Sequence, residues 1–181
     1  GYQFRSASDT EVVLNAWSFW GKKALLKFNG MFAFAIWDRK NNTLIMARDR
    51  YGIKPLYYWD DGKKLVFGSE IKSILQHPDY QVEVSKEALN EYFTFQNVFT
   101  DRTLFQGIRM LPSGAFTEYR LEEGRKNFKK YWDFHFEDNK LFATEEEYIE
   151  ELNRLFRQAV NRHLISDVEI GSYLSGGTDS G

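Results

Sequence analysis

The chain contains no cysteine. Disulfides, thiolate metal sites and a cysteine nucleophile are therefore excluded from these 181 residues. No long basic run occurs, and the formal net charge is −2. Recognition of nucleic acid through a basic face is not indicated. The longest apolar runs fall far short of the roughly 20 residues that span a bilayer, so no membrane segment is expected. Residues 1–10 have neither the basic start nor the apolar core of a secretory signal. Gly-Lys-Ser and Gly-Lys-Thr are absent, which excludes the longer phosphate loop. There is no internal repeat and no low-complexity tract. By default these absences place the chain in the cytoplasm.

Aromatic residues, by contrast, are abundant at 17%, including 16 Phe and 10 Tyr. Many lie in short alternating or continuous apolar stretches, which suits strands. Ser8-Asp9-Thr10-Glu11 has the spacing of a capping box, with Ser8 as N-cap and Glu11 reaching back. A helix is predicted from there to a stop at Gly21, and a short second one over Lys22 to Phe28. Phe32 to Trp37 is almost wholly apolar and reads as a strand buried on both faces. Asn41-Asn42 turns it into a returning strand, Leu44 to Ala47. Leu56 to Trp59, a turn at Asp60-Asp61-Gly62, and Leu65 to Phe67 form a second hairpin.

Helices follow over Glu70 to Gln76 and Ser85 to Phe95. A turn at Leu111-Pro112-Ser113-Gly114 leads into a strand, Ala115 to Arg120, and Glu122-Glu123-Gly124 turns again. Thr144-Glu145-Glu146-Glu147 is a second capping box. Tyr148, Leu152, Leu155, Phe156, Ala159, Val160 and His163 recur behind it at helical steps, a stripe expected to face a core.

Val168 to Leu174 reads as a strand feeding Ser175-Gly176-Gly177-Thr178-Asp179-Ser180. Adjacent glycines allow positive φ and turn backbone N–H groups toward one centre, a nest for phosphate oxygens. The serine hydroxyls add donors, and Asp179 could hold a cation. The alternative is an ordinary strand-ending turn, because Ser, Gly, Thr and Asp are all common in turns.

Ser-Gly-Gly-x-Asp-Ser after an apolar strand resembles the pyrophosphate loop of ATP pyrophosphatases. Several further segments, in order, resemble the glutamine-dependent asparagine synthetase family. They are Ser8 to Val12, Asn29 to Phe34, Ala47 to Tyr58, Gly68 to Lys72, Leu104 to Ile108, Leu111 to Gly114, Ser166 to Val168 and Tyr173 to Gly177.

The resemblance implies part of a class II (N-terminal nucleophile) glutaminase αββα sandwich over residues 1–135. A linker, 136–143, would lead into the first helix, strand and loop of an ATP-pyrophosphatase-type α/β domain, 144–181. The fold class is thus α+β / α/β, and the chain is expected to be truncated at both ends. The implied enzyme is a glutamine-hydrolysing asparagine synthase. It forms asparagine from aspartate through β-aspartyl-AMP, with ATP and Mg²⁺, using ammonia from glutamine. A homodimer stays open.

By the same resemblance Asp9 holds the amino group of glutamine. Read without it, Asp9 favours the first turn of a helix. Tyr173, Ser175, Gly176, Gly177, Asp179 and Ser180 would bind ATP, with Asp179 nearest to Mg²⁺. Thr178 and Gly181 depart from the usual aliphatic residue and the frequent serine, which loosens the inference about the acceptor. With no cysteine, these residues on their own are expected to be inactive in both half-reactions.

Arg48, Asp49, Arg50 and Lys54 read as ion pairs that fix a loop rather than as catalysts. His163 reads as structural, and His77 and His135 have no companion at metal-ligand spacing. Three rivals remain at this level. One is a relative acting on another carboxylate, such as a β-lactam synthetase. Another is an amidophosphoribosyltransferase-like amidotransferase, which lacks the terminal loop. The last is a non-catalytic ATP- or amide-binding module.

Overall fold

The computed structural model describes residues 2–120, 124–125, 128–137 and 144–179. Its internal contacts divide the chain into two units, Gly1–Phe134 and His135–Gly181.

The first unit opens with helix α1, Asp9–Trp20. Ser8 caps it, its hydroxyl accepting from Thr10 N at 3.2 Å. The expected capping box does not close. Glu11 instead accepts from Ser6 Oγ–H, from the N–H groups of Arg5 and Ser6, and from Tyr2 O–H. Residues 2–6 curl over the helix start and offer this carboxylate more donors than the single Ser8 N–H. Gly21, at φ +55°, ends the helix. The second predicted helix is a 3₁₀ turn, Gly21–Lys23, followed by one turn of α-helix, α2, Ala24–Lys27.

Strands β1, Ala33–Asp38, and β2, Thr43–Arg48, form the first predicted hairpin. Next come β3, Tyr57–Asp60, β4, Leu65–Gly68, helix α3, Ile71–Leu75, and helix α4, Lys86–Phe95, capped by Ser85. Then follow β5, Ile108–Met110, β6, Ala115–Arg120, β7, Gly124–Arg125, and β8, Lys129–Lys130. Of the predicted turn at residues 122–124, positions 122 and 123 lie outside the described residues.

Two antiparallel sheets result. One runs β1-β2-β6-β7 with β8 also on β6, and the other runs β4-β3-β5. Among the described residues β1 is therefore an edge strand, paired on one side only. This corrects the expectation that Phe32 to Trp37 is buried on both faces. Ala35 and Trp37 are exposed, and the rest of β1 is half-buried. An edge strand keeps one row of N–H and C=O groups and part of each face open.

Side-chain alternation along the strands builds three cores. Leu25, Ala47 and Phe116, with Trp17 and Phe34, fill the space between α1, α2 and the larger sheet. On the opposite face of β2, Met46 joins Leu56, Leu111 and Leu65 between the two sheets. Ile74, Tyr80 and Ile108, with Trp59 and Val66, pack α3 on the outer face of the smaller sheet. The order is helix, sheet, sheet, helix. Mixed α/β structure with antiparallel sheets thus agrees with the sequence reading.

In the second unit the only regular element among the described residues is helix α5, Glu145–His163. Its capping box is complete: Glu147 N donates to Thr144 Oγ1 and Thr144 N donates to Glu147 Oε2, both at 3.3 Å. Acidic residues occupy the first turn, and Arg162 and His163 the last, as the helix dipole favours. The stripe expected to face a core is exposed in this unit, with Leu152 at 68% and Phe156 at 66%. His163, on the same stripe, is exposed as well. The predicted strand over residues 168–174 does not form. A strand needs a neighbour for its ladder, and this unit supplies none among the described residues. Of the expected linker, residues 138–143 lie outside the described residues. No helix of the described residues is long and apolar enough to cross a membrane.

Candidate functional site

A cleft of about 400 Å³ opens in the first unit between α1 and the free edge of β1. Consecutive residues from Phe32 to Ile36 line one side, as an edge strand allows. Asp9, Thr10 and Val13 of α1 line another, and Lys54, Pro55 and Ser69 close the floor. The wall is mixed, with apolar side chains beside the polar groups of Asp9, Thr10, Lys54 and Ser69, and such a mixture can hold and orient a small molecule.

Asp9 stands at the first position of α1, exposed on the cleft. Its carboxylate has no hydrogen-bond or ion-pair partner among the described residues. The Tyr2 and Ser6 hydroxyls and the N–H groups of Arg5 and Ser6 go to Glu11 instead. An unpaired carboxylate beside an apolar slot suits a ligand cation.

The floor is held by a buried polar knot. Arg48 is 7% exposed and Asp49 1%. The Arg48 guanidinium donates to the carbonyls of Lys54 at 2.7 Å, Leu111 at 2.8 Å and Gly52. Burial pulls the Arg48 pKa down, and the negative charge of Asp49 works the other way. Asp49 accepts from four backbone N–H groups, those of Phe32, Tyr51, Ile53 and Lys54. Arg50 donates to the carbonyls of Leu26 and Phe28.

The expectation of loop-fixing ion pairs thus changes in its partners. Among the described residues, none of Arg48, Asp49, Arg50 and Lys54 makes a salt bridge with another side chain. They fix the loop through the backbone, because a tight loop turns its own peptide groups inward and these need partners. Lys54 and Ser69, which line the cleft, were not singled out as site residues. Nothing in local spacing marks them, because they reach the cleft from separate loops.

The second candidate lies in the other unit. Ser175, Gly176, Gly177 and Asp179 are exposed, and Tyr173 is 99% exposed. Ser180 is outside the described residues. Of the two glycines only Gly176 takes positive φ, +75°. Gly177 N donates to Ser175 Oγ at 3.4 Å. Hydroxyls, amides and one carboxylate are the right donor set for a phosphate and its cation. No strand among the described residues feeds this turn.

Comparison with known proteins adds independent findings. Residues 1–132 match the family described as glutamine amidotransferase domain, and residues 151–181 match asparagine synthase. The chain belongs to the glutamine amidotransferase domain family. It is 40% identical, over 99% of its length, to asparagine synthetase [glutamine-hydrolyzing] 3 of Bacillus subtilis. It is 38% identical, again over 99%, to asparagine synthetase [glutamine-hydrolyzing] 1 of the same organism. Amidase chyE of Penicillium rubens is 34% identical over 99% of the chain. The chain spans 29%, 28% and 26% of the length of these three relatives, respectively.

Proposed function

We propose that the full-length polypeptide carrying this sequence is a cytoplasmic, ATP-dependent amidotransferase that makes asparagine from aspartate. Glutamine supplies the ammonia. The first unit contributes part of the class II glutaminase, a reading that its helix, sheet, sheet, helix order supports. The nucleophile itself is not among these residues. The second unit contributes the opening of the ATP-pyrophosphatase-type domain.

The observation that carries this reading is Asp9, a carboxylate without a partner among the described residues, facing a cleft. It pairs with the α-ammonium of glutamine, and the apolar side chains of the strand wall accommodate the methylene chain. Ser175, Gly176, Gly177 and Ser180 would hold phosphate oxygens of ATP, Asp179 the Mg²⁺, and Tyr173 the adenine side. Ammonia then displaces AMP from β-aspartyl-AMP.

The test is Asp9→Asn in the full-length protein. Losing a charge-assisted pair raises the KM for glutamine by about 10- to 100-fold. Synthesis driven by free ammonia stays at the wild-type rate. A KM unchanged by the substitution removes Asp9 from the site. Full-length wild type that converts no ATP to AMP refutes the synthetase reading. A second reading, another carboxylate as acceptor, draws on the relative named amidase and on Thr178 in the loop.

A further inference from the structure

We infer that Asp49 is a positioning residue for the glutamine cleft, joining two of its walls through one carboxylate oxygen. This rests on the reading of the cleft given above. Asp49 Oδ2 accepts from Phe32 N at 3.2 Å and from Lys54 N at 3.0 Å. Phe32 belongs to the strand-edge wall, and Lys54 with Pro55 belongs to the floor. These residues lie far apart in sequence, and a single oxygen sets their separation.

Oδ1 meanwhile holds the intervening turn, accepting from Tyr51 N at 3.1 Å and Ile53 N at 2.9 Å. The backbone adds a second tie, because Asp49 N donates to Phe32 O at 2.8 Å. Lys54 is clamped from both sides. Its N–H goes to Asp49, and its C=O accepts from Arg48 Nε at 2.7 Å. Neither Asp49 nor Arg48 lines the cleft. They act through Phe32, Lys54 and Pro55.

A carboxylate is the group that does this. Its two oxygens accept four N–H groups, whereas an amide at the same place would turn an NH₂ toward two of them. A group 1% exposed has no water to make up the loss.

The experiment uses the full-length protein with Asp49→Asn and, independently, Arg48→Lys. Asparagine leaves Oδ2 or Oδ1 replaced by a donor, and lysine loses the Nε bond to Lys54 O. Both variants raise the KM for glutamine, the first by about tenfold or more. Ammonia-driven synthesis remains at the wild-type rate in both. A purely structural role would lower both activities together at unchanged KM, and that result overturns the inference. Should Asp49→Asn fail to accumulate, Arg48→Lys gives the same readout from the carbonyl side of the clamp. If Asp9→Asn raises the KM and these two variants do not, the inference fails while the cleft reading stands. If wild type releases no ammonia from glutamine, both fail.

Discussion

Gly114 offers the sharpest test of the packing behind the cleft. Its φ is +60°, and a Cβ built there would lie 2.5 Å from the backbone oxygen of Trp132. Gly114 N donates to Asp49 O at 2.8 Å, and Gly114 O accepts from Tyr131 N at 2.8 Å and Trp132 N at 3.2 Å. Gly114→Ala therefore incurs two separate costs. The left-handed conformation costs about 1–2 kcal/mol for a residue with a Cβ. Moving the Trp132 peptide away weakens two or more backbone bonds, each worth about 1 kcal/mol net.

The expected loss for Gly114→Ala is about 3–4 kcal/mol. Gly62 is the control, since its φ is +86° and nothing lies within 4 Å of its Cβ position. Gly62→Ala bears only the dihedral cost, about 1–2 kcal/mol. The gain from a stiffer unfolded chain is common to both variants and cancels in the comparison. All five tryptophans, at positions 17, 20, 37, 59 and 132, lie in the first unit, so their fluorescence reports its unfolding alone. Urea midpoints at unchanged slope then give the difference. Equal losses in the two variants would refute the close approach of Trp132 to Gly114.

Two titrations follow from the same structure. Burial pushes the Tyr131 phenol up from 10.0 to about 12, with Arg50 opposing and Asp49 reinforcing the shift. Its O–H donates to Arg48 O at 2.9 Å. The fold favours the protonated form, so this contribution is complete below pH 10.0 and is lost as pH rises through about 12. Tyr131→Phe should flatten the stability profile in that window, and an unaltered slope would contradict the assignment. At the other end of the scale, the Ser6 hydroxyl and then the Arg5 N–H hold the Glu11 carboxyl at about 2 rather than 4.5. The contribution is present above pH 4.5 and is lost as pH falls through about 2. The protection of the Arg5 and Ser6 amides, relative to their intrinsic exchange at each pH, should fall over that range, and Glu11→Gln should remove it already at neutral pH. Slow exchange in the variant would show that residues 2–6 are held by something else.

Local chemistry was legible and long-range pairing was not. Ser85 and Thr144 announce helix starts because a cap is a contact over two or three residues. The two hairpins could be read because Asn41-Asn42 and Asp60-Asp61-Gly62 are turns bounded by apolar runs. β5 was not read as a strand, because its partner is β3, far back along the chain. Phe32 to Trp37 showed its apolar composition but not its place at a sheet edge, and composition alone favoured burial on both faces. The stripe on α5 was equally legible as a pattern, yet burial requires a second element to cover it.

The site divides along the same line. Asp9 is a helix-start aspartate in any sequence reading, and the resemblance alone gave it a ligand. The tertiary structure places it opposite the edge of β1, and only there does a carboxylate without a partner among the described residues adjoin a cleft. Asp49 is the clearer instance. The sequence determined that a buriable acid sits between two arginines in a glycine-containing loop. Which groups it would hold was decided by folding, because one of its four donors, Phe32 N, is brought within reach only when β1 pairs with β2.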